Sequence, residues 1–326
     1  MIRKMKRISD YALMAEEAIR DAGVGAGTPA SLYGPIDYAM EAGGKRLRPV
    51  LMLMAADAFG DDPEKALAPA VGIELFHNFT LLHDDVMDNS ATRRGRESVM
   101  AKWDVNTAIL SGDTMLTQAT REISKVDDKL LRNVLDRFNA MALEVYEGQR
   151  LDMDFEKMEN VSPEAYIEMI QKKTGALLGC SAAIGALIGG ASDKDAEALY
   201  RFGVMLGTAF QIEDDRLDTF GDPAVFGKPI GGDIRNNKQT FLMVSALARN
   251  DEDAAALRAV IALEPSDTKV KAATRIYERM EMPAVCTKAV AEYSSAAMTA
   301  LKKTSLSPEK KEAFKKLVEK LTGRKK

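Results

Sequence analysis

The stretch LLHDDVMDNSATRRG, residues 81–95, sets Asp84, Asp85 and Asp88 beside Arg93 and Arg94 in otherwise apolar surroundings. On a helix, residues four apart share a face with Cβ atoms about 5–6 Å apart, so Asp84 and Asp88 point the same way. Like charges at that spacing oppose helix formation by some tenths of a kcal/mol. A near copy follows 130 positions on, where FQIEDDRLD, residues 210–218, carries Asp214, Asp215 and Asp218 behind an aromatic and apolar residues. One such run reads as a solvated helix end. Two suggest a pair of facing helices around a cation that the chain does not itself supply. Hard divalent ions choose oxygen ligands, and Mg²⁺ takes one or two carboxylates together with phosphates and waters. A di-iron carboxylate bundle needs two Glu-x-x-His pairs on two helices. The chain offers one, ELFH at 74–77, and its other histidine, His83, has Thr80 three residues before it.

The remaining sequence predicts helices nearly throughout. The 326 residues are 46% hydrophobic and 29% charged, with a net charge of −4, which gives no reason to expect nucleic acid or an anionic surface as partner. Cys180 and Cys286 lie far apart without metal spacing, so a disulfide framework is not expected and a reducing, cytoplasmic setting is. The basic amino terminus lacks the apolar core of a signal peptide, and no window is long and apolar enough for a membrane span. Ala, Leu, Met, Glu and Lys dominate, and strand-like alternation is nearly absent. The pattern predicts helices over roughly 5–22, 46–59, 63–89, 107–124, 128–153, 163–190 (broken near Gly175), 195–221, 235–249, 252–263, 267–300 and 308–322. No linker divides them, so one all-α domain over 1–326 is expected. The glycine-rich run GALLGCSAAIGALIGG, 175–190, is costly in a helix at about 1 kcal/mol per glycine. It makes sense where a backbone approaches another helix or a ligand closely.

Positive charge gathers at GGKRLRP, 43–49, with Lys45, Arg46 and Arg48 at a helix start after two glycines that let backbone approach an anion. Arg93, Arg94, Lys173, Lys228 and Lys238 add to it. No nucleophile–base pair is evident. Metal and cations stabilising a leaving group fit better, and a diphosphate that departs from a hydrocarbon tail fits the apolar helices.

Together GGKRLRP, LLHDDVMDNSATRRG, GDTML, GQRLDMD, KTGALLGCS, FQIEDDRLD and FGKPIGGDIRNNKQT resemble, in order, the trans-isoprenyl diphosphate synthases of the polyprenyl synthetase family, short-chain type. The likeness covers about residues 40–240. It implies an all-α, single-domain helical bundle around a central apolar cavity, working as a homodimer. It implies three Mg²⁺ per site, with Mn²⁺ able to substitute. Asp84, Asp88 and Asp214 would be the metal ligands, with Asp85 and Asp215 beside them and Asp218 acting through water. Arg93, Lys173, Lys228 and Lys238 would contact the allylic diphosphate, and Lys45, Arg48, His77 and Arg94 the isopentenyl diphosphate, without metal. Thr174 and Gln211 would turn oxygens to the developing cation, while Gln149 and Asp152 support.

The implied reaction is ionisation of a dimethylallyl, geranyl or farnesyl diphosphate, attack by the isopentenyl double bond, and proton loss to the departing diphosphate. A non-catalytic partner subunit would lose aspartates that are intact here. Head-to-head synthases and terpene cyclases give no reason for GGKRLRP beside two full D-D-x-x-D runs. Product length is set by whatever blocks the cavity below the metals. Phe79, five residues before Asp84 and about 7.5 Å along the helix, is the expected floor for fifteen- or twenty-carbon products. Phe76, Met115 or a longer-chain outcome are the alternatives.

Overall fold

The structure is a computed structural model that describes residues 5–60, 62–222 and 230–323. Helices follow one another as α1 (Ile8–Asp21), α2 (Ala30–Glu41), α3 (Leu47–Gly60), α4 (Leu67–Met87), α5 (Val99–Lys102), α6 (Val105–Ile123), α7 (Asp128–Phe155) and α8 (Pro163–Ile170). A π-helical turn, Gln171–Gly175, leads into α9 (Ala176–Ile188) and α10 (Asp193–Phe220). Then come α11 (Gly232–Arg235), α12 (Phe241–Leu247), α13 (Glu252–Ile261), α14 (Asp267–Arg279), α15 (Met282–Lys302) and α16 (Pro308–Thr322). The expected all-α class holds, and among the described residues strand occurs only as β1 (Thr92–Arg93) paired antiparallel with β2 (Arg96–Glu97). Local chemistry starts several helices. Ser162 accepts from the amide of Ala165 at 3.1 Å ahead of Pro163, and Asp104 accepts from that of Thr107 at 2.8 Å. Both satisfy amides that a helix start leaves over.

The residues group into two compact units: one with those through Asn139, Cys180–Leu199 and Thr304–Phe314, the other with Ala140–Gly179, Tyr200–Lys303 and those from Lys315 on. In the first, α3 is buried almost all round, from Leu47 through Ala58, and α4 packs along α6. Buried Asp57 accepts from the hydroxyl of Tyr11, also buried, which ties α1 to α3. A Cβ on Gly185 would lie 2.2 Å from the Met52 carbonyl oxygen, and one on Gly189 2.6 Å from that of Ala56. With four-residue spacing on both helices, α9 and α3 therefore meet backbone to backbone. In the second unit a Cβ on Gly203 would meet Gly179 Cα at 2.6 Å, so α10 and the start of α9 touch the same way. Tight helix contact explains the glycine-rich run. The second core gathers Phe155, Tyr166, Ile212, Phe241, Leu257, Tyr277 and Met282.

Three differences from the sequence expectation have physical causes. Helix α2 carries Gly34 and Pro35, which read as breakers, yet burial of Pro35, Ile36 and Met40 holds it. The helix expected over 267–300 is two, since Glu281 turns left-handed with φ 54° ahead of Pro283. Proline lacks the amide to continue a helix and clashes with the carbonyl four residues back. The hairpin reverses through Arg94 (φ 53°) and Gly95 (φ 75°), the paired left-handed turn that matches strand twist.

These contacts predict the outcome of a glycine-to-alanine change. Gly185→Ala should lower the urea unfolding midpoint, at a cost of about 1–3 kcal/mol for overpacking. An unchanged midpoint for Gly185→Ala would refute the backbone-contact reading.

Candidate active site

In the first unit, α4 ends in carboxylates. Asp84 is half-buried, Asp85 buried, and Asp88 exposed as the helix C-cap, its amide donating to the Asp84 carbonyl at 2.8 Å. A helix C-terminus already carries partial negative charge, so anionic side chains there run against the macrodipole. Asp85 is taken by Arg93, whose Nε and Nη2 donate to Oδ1 at 2.8 and 2.6 Å. Burial raises the Asp85 carboxyl above its usual range, and Arg93 works against that shift. Arg93 uses two of its five N–H donors on this bond and has others to give.

Beside α4 lies a cationic group. Arg48 stands in the first turn of α3, and its buried Nε has no hydrogen-bond partner. Burial foremost lowers its pKa to about 10, with Arg94 adding to the effect and Glu74 opposing it, so it stays charged at neutral pH. His77 is held well below its ordinary 6.5, first by burial and then by the charges of Arg48, Arg94, Arg93 and Arg46. The Nη1 of Arg94 donates to the Gly43 carbonyl, and a Cβ on Gly44 would sit 3.0 Å from the Arg94 guanidinium. Lys45 is exposed on the same loop. The four residues expected to hold one diphosphate, Lys45, Arg48, His77 and Arg94, thus belong to one electropositive neighbourhood. Phe79 is buried in edge contact with Phe76 and His83, at 5.5 and 4.7 Å between ring centres, and Phe76 packs on Phe138.

The second unit carries the other acidic run, in the last two turns of α10. Asp214 is half-buried. Asp215 is buried and accepts from the Tyr166 hydroxyl at 2.5 Å, the Phe241 amide at 2.9 Å and Gln211 Nε2 at 3.0 Å. Burial pushes its pKa up to about 7 against these three donors. Gln211 Oε1 in turn accepts from the Thr174 hydroxyl at 3.2 Å. Asp218 accepts from the Asp233 amide at 3.0 Å and so fastens the segment after Ile230 to the end of α10. Lys173 and Thr174 project from the π-helical turn, where a Cβ on Gly148 of α7 would lie 2.3 Å from the Lys173 nitrogen. Lys173 pairs with Asp152 at 2.6 Å and Lys238 with Glu156 at 2.5 Å. Gln149 is buried one residue beyond Gly148. Lys228 lies outside the described residues. Sequence reasoning missed Tyr166, Glu156 and Asp233. The signal for each was indirect: a buried carboxylate or a functional lysine needs a partner.

The donor set suits magnesium. Asp84 and Asp88 in the first unit and Asp214 in the second each offer hard carboxylate oxygens of the kind such an ion takes.

The polyprenyl synthetase profile matches residues 29–280, and the chain belongs to that family. It is 44% identical over 223 residues to the geranylgeranyl diphosphate synthase of Methanosarcina mazei, covering 68% of this chain and 69% of that one. A solved geranylgeranyl pyrophosphate synthase superposes with a TM-score of 0.94 at 40% identity, covering 99% of this chain and 100% of the other. That of Corynebacterium glutamicum, complexed with isoprenyl diphosphate and magnesium, superposes with a TM-score of 0.83 at 27% identity, covering 98% of each chain.

The His77 environment predicts a pH response. Its pKa is lower in the folded chain than in the unfolded one, so the stability it contributes is present above about pH 6.5 and is lost as pH falls below that. Nitrogen-15 NMR should find the ring neutral to well below that pH. Saturating inorganic diphosphate should move the titration upward by offsetting the arginines. A ring that titrates near 6.5 and ignores diphosphate would contradict the cationic cradle.

Proposed function

We propose that this chain is a prenyltransferase that joins isopentenyl diphosphate head-to-tail to an allylic diphosphate. The products are diphosphate and a trans-prenyl diphosphate of fifteen or twenty carbons. The observation that carries the reading is a helix in each unit that ends in carboxylates, with an arginine and histidine neighbourhood beside the first of them.

In this reading Asp84, Asp88 and Asp214 would hold three Mg²⁺, or Mn²⁺ in their place, with the allylic diphosphate. Bound magnesium supplies neutralisation of the charge that builds on the departing diphosphate. Arg93, Lys173, Lys228 and Lys238 donate to the same group. In this reading Lys173 and Lys238 exchange their ion-pair partners Asp152 and Glu156 for phosphate oxygens when substrate binds. Lys45, Arg48, Arg94 and neutral His77 receive isopentenyl diphosphate without metal.

The allylic carbon–oxygen bond breaks and its electron pair leaves with diphosphate. The isopentenyl double bond then attacks the allylic carbon, and the proton lost from the adduct goes to the released diphosphate. Because the Thr174 hydroxyl hydrogen is committed to Gln211, its oxygen offers lone pairs to the cation. Asp215 orients Gln211 by taking its amide hydrogen. Phe79, at the edge of the Phe76–Phe138 stack, is the floor that ends chain growth.

The whole chain acts as one polyprenyl synthetase domain in this reading, in line with a family match that runs through both units. A homodimer is proposed on the exposed apolar side chains of Val105, Ile109 and Leu110 along α6, and light scattering at twice the chain mass checks it. A reducing, cytoplasmic setting accords with two buried free cysteines.

One assay tests the assignment. Pure protein with isopentenyl and geranyl diphosphates should form product with Mg²⁺ and none after chelation. Asp84→Ala and Asp214→Ala should each lose orders of magnitude in turnover with an unchanged helical circular-dichroism spectrum. Phe79→Ala should release longer chains, read by chromatography after dephosphorylation. Near-normal turnover in either aspartate variant would sink the metal assignment, and unchanged chain length would move the floor to Phe76 or Met115.

A further inference from the structure

Arg46 sits between Lys45 and Arg48, yet it does not share their surroundings. Its side chain is almost fully buried, while Lys45 is exposed and Arg48 stands in the first turn of α3. Its backbone has φ 44°, in the left-handed region that a non-glycine residue seldom occupies unless its surroundings hold it there. Gly43 (φ 68°) and Gly44 (φ 143°) come just before it. Glycine would meet the backbone requirement at 46 as it does at 43 and 44, so an arginine there points to its guanidinium.

That guanidinium is held from three helices. Nε pairs with Glu16 Oε1 of α1 at 2.8 Å, Nη1 with Glu74 Oε1 of α4 at 2.8 Å, and Nη2 donates to the Met40 carbonyl of α2 at 2.8 Å. Glu74 is itself buried and also accepts from Asn78. The Arg46 carbonyl accepts from the Val50 amide at 3.0 Å, the first bond of α3. One residue therefore fixes both the bend out of the glycine pair and the first turn of the helix that carries Arg48. Two glycines leave the loop free to move, and the three-way clamp removes that freedom next to Lys45.

We propose that Arg46 is a positioning residue that sets the pose of Lys45 and Arg48, and so the affinity for isopentenyl diphosphate but not for the allylic substrate. This rests on the functional reading above. Arg46 is not itself a diphosphate contact in this proposal, because its side chain is buried and most of its N–H donors go to Glu16, Glu74 and Met40. Glu16 and Glu74 pair with its charge, and although that charge also helps keep His77 neutral, the clamp acts on Lys45 and Arg48 through geometry.

The test varies each substrate in turn with Arg46→Met, Arg46→Lys, the double variant Arg46→Met/Glu74→Met, and Lys45→Ala. Isothermal titration with isopentenyl diphosphate in metal-free buffer gives a readout independent of turnover. Arg46→Met should weaken isopentenyl diphosphate about tenfold in KM and in the titration, the scale of one charged hydrogen bond. The allylic KM and the Mg²⁺ midpoint should stay within about twofold of wild type. Arg46→Lys should recover only part, because a point charge cannot make the three-way fork. The double variant replaces a buried ion pair with apolar side chains, which commonly keeps stability. It should regain the wild-type unfolding midpoint and still bind isopentenyl diphosphate weakly, which keeps the test open if Arg46→Met fails to fold. Equal weakening toward both substrates, or a double variant that recovers affinity along with stability, would overturn the proposal. If Lys45→Ala weakens isopentenyl diphosphate and Arg46→Met does not, this proposal alone falls. Unchanged binding in Lys45→Ala would instead remove the functional reading beneath it.

Discussion

Negative charge at the wrong end of a helix is the constraint on which the rest depends. Both D-D-x-x-D runs close their helices, Asp84 and Asp85 in the last turn of α4 with Asp88 as its cap, Asp214 to Asp218 in the last two turns of α10. Roughly half an elementary negative charge from the macrodipole already resides at such an end. Each added carboxylate there is unfavourable by about 0.3–1 kcal/mol at a solvent-exposed site. A hard divalent cation held against Asp84, Asp88 and Asp214 would offset that repulsion. In our proposal the arrangement costs stability in the free protein and returns it as affinity for a metal-bound diphosphate.

The middle aspartate of each run has a different job from its neighbours. Residues next to each other on a helix point about 100° apart, while those four apart nearly coincide, so the second aspartate of D-D-x-x-D faces away from the first. Asp85 turns in to Arg93 and Asp215 to Tyr166, Gln211 and the Phe241 amide. Arg93 comes from the hairpin after α4, and Tyr166 and Phe241 from segments other than α10, and these donors fix the face on which Asp84 and Asp214 stand. The cationic neighbourhood follows the same economy. Arg46 is turned inward to fasten the loop whose neighbours carry the exposed charge.

Local chemistry made much of this legible in the sequence. Ser-Pro-Glu at 162–164 and 307–309 marks two helix starts that the structure keeps, because capping needs only neighbours in the chain. The aspartates and the basic loop were evident for the same reason: unlike charge and glycine stand out in apolar runs. What stayed hidden was partnership. Glu74 draws attention in ELFH as a metal ligand, but its partner is Arg46, from 28 positions earlier in the chain. Tyr166 reads as an ordinary core aromatic until its hydroxyl is found on Asp215. Helix α2 was missed because Gly34 and Pro35 speak against it locally and burial overrules them. The split at Glu281 was missed because a single proline in a strongly helical pattern leaves kink and break equally open.

The most direct test of the central claim is anomalous scattering at the manganese edge from crystals grown with Mn²⁺ and inorganic diphosphate. The account predicts metal peaks against Asp84 and Asp88 and against Asp214, with none touching Asp85 or Asp215. Metal on only one of the two acidic runs, or bound by the inward aspartates, would contradict it.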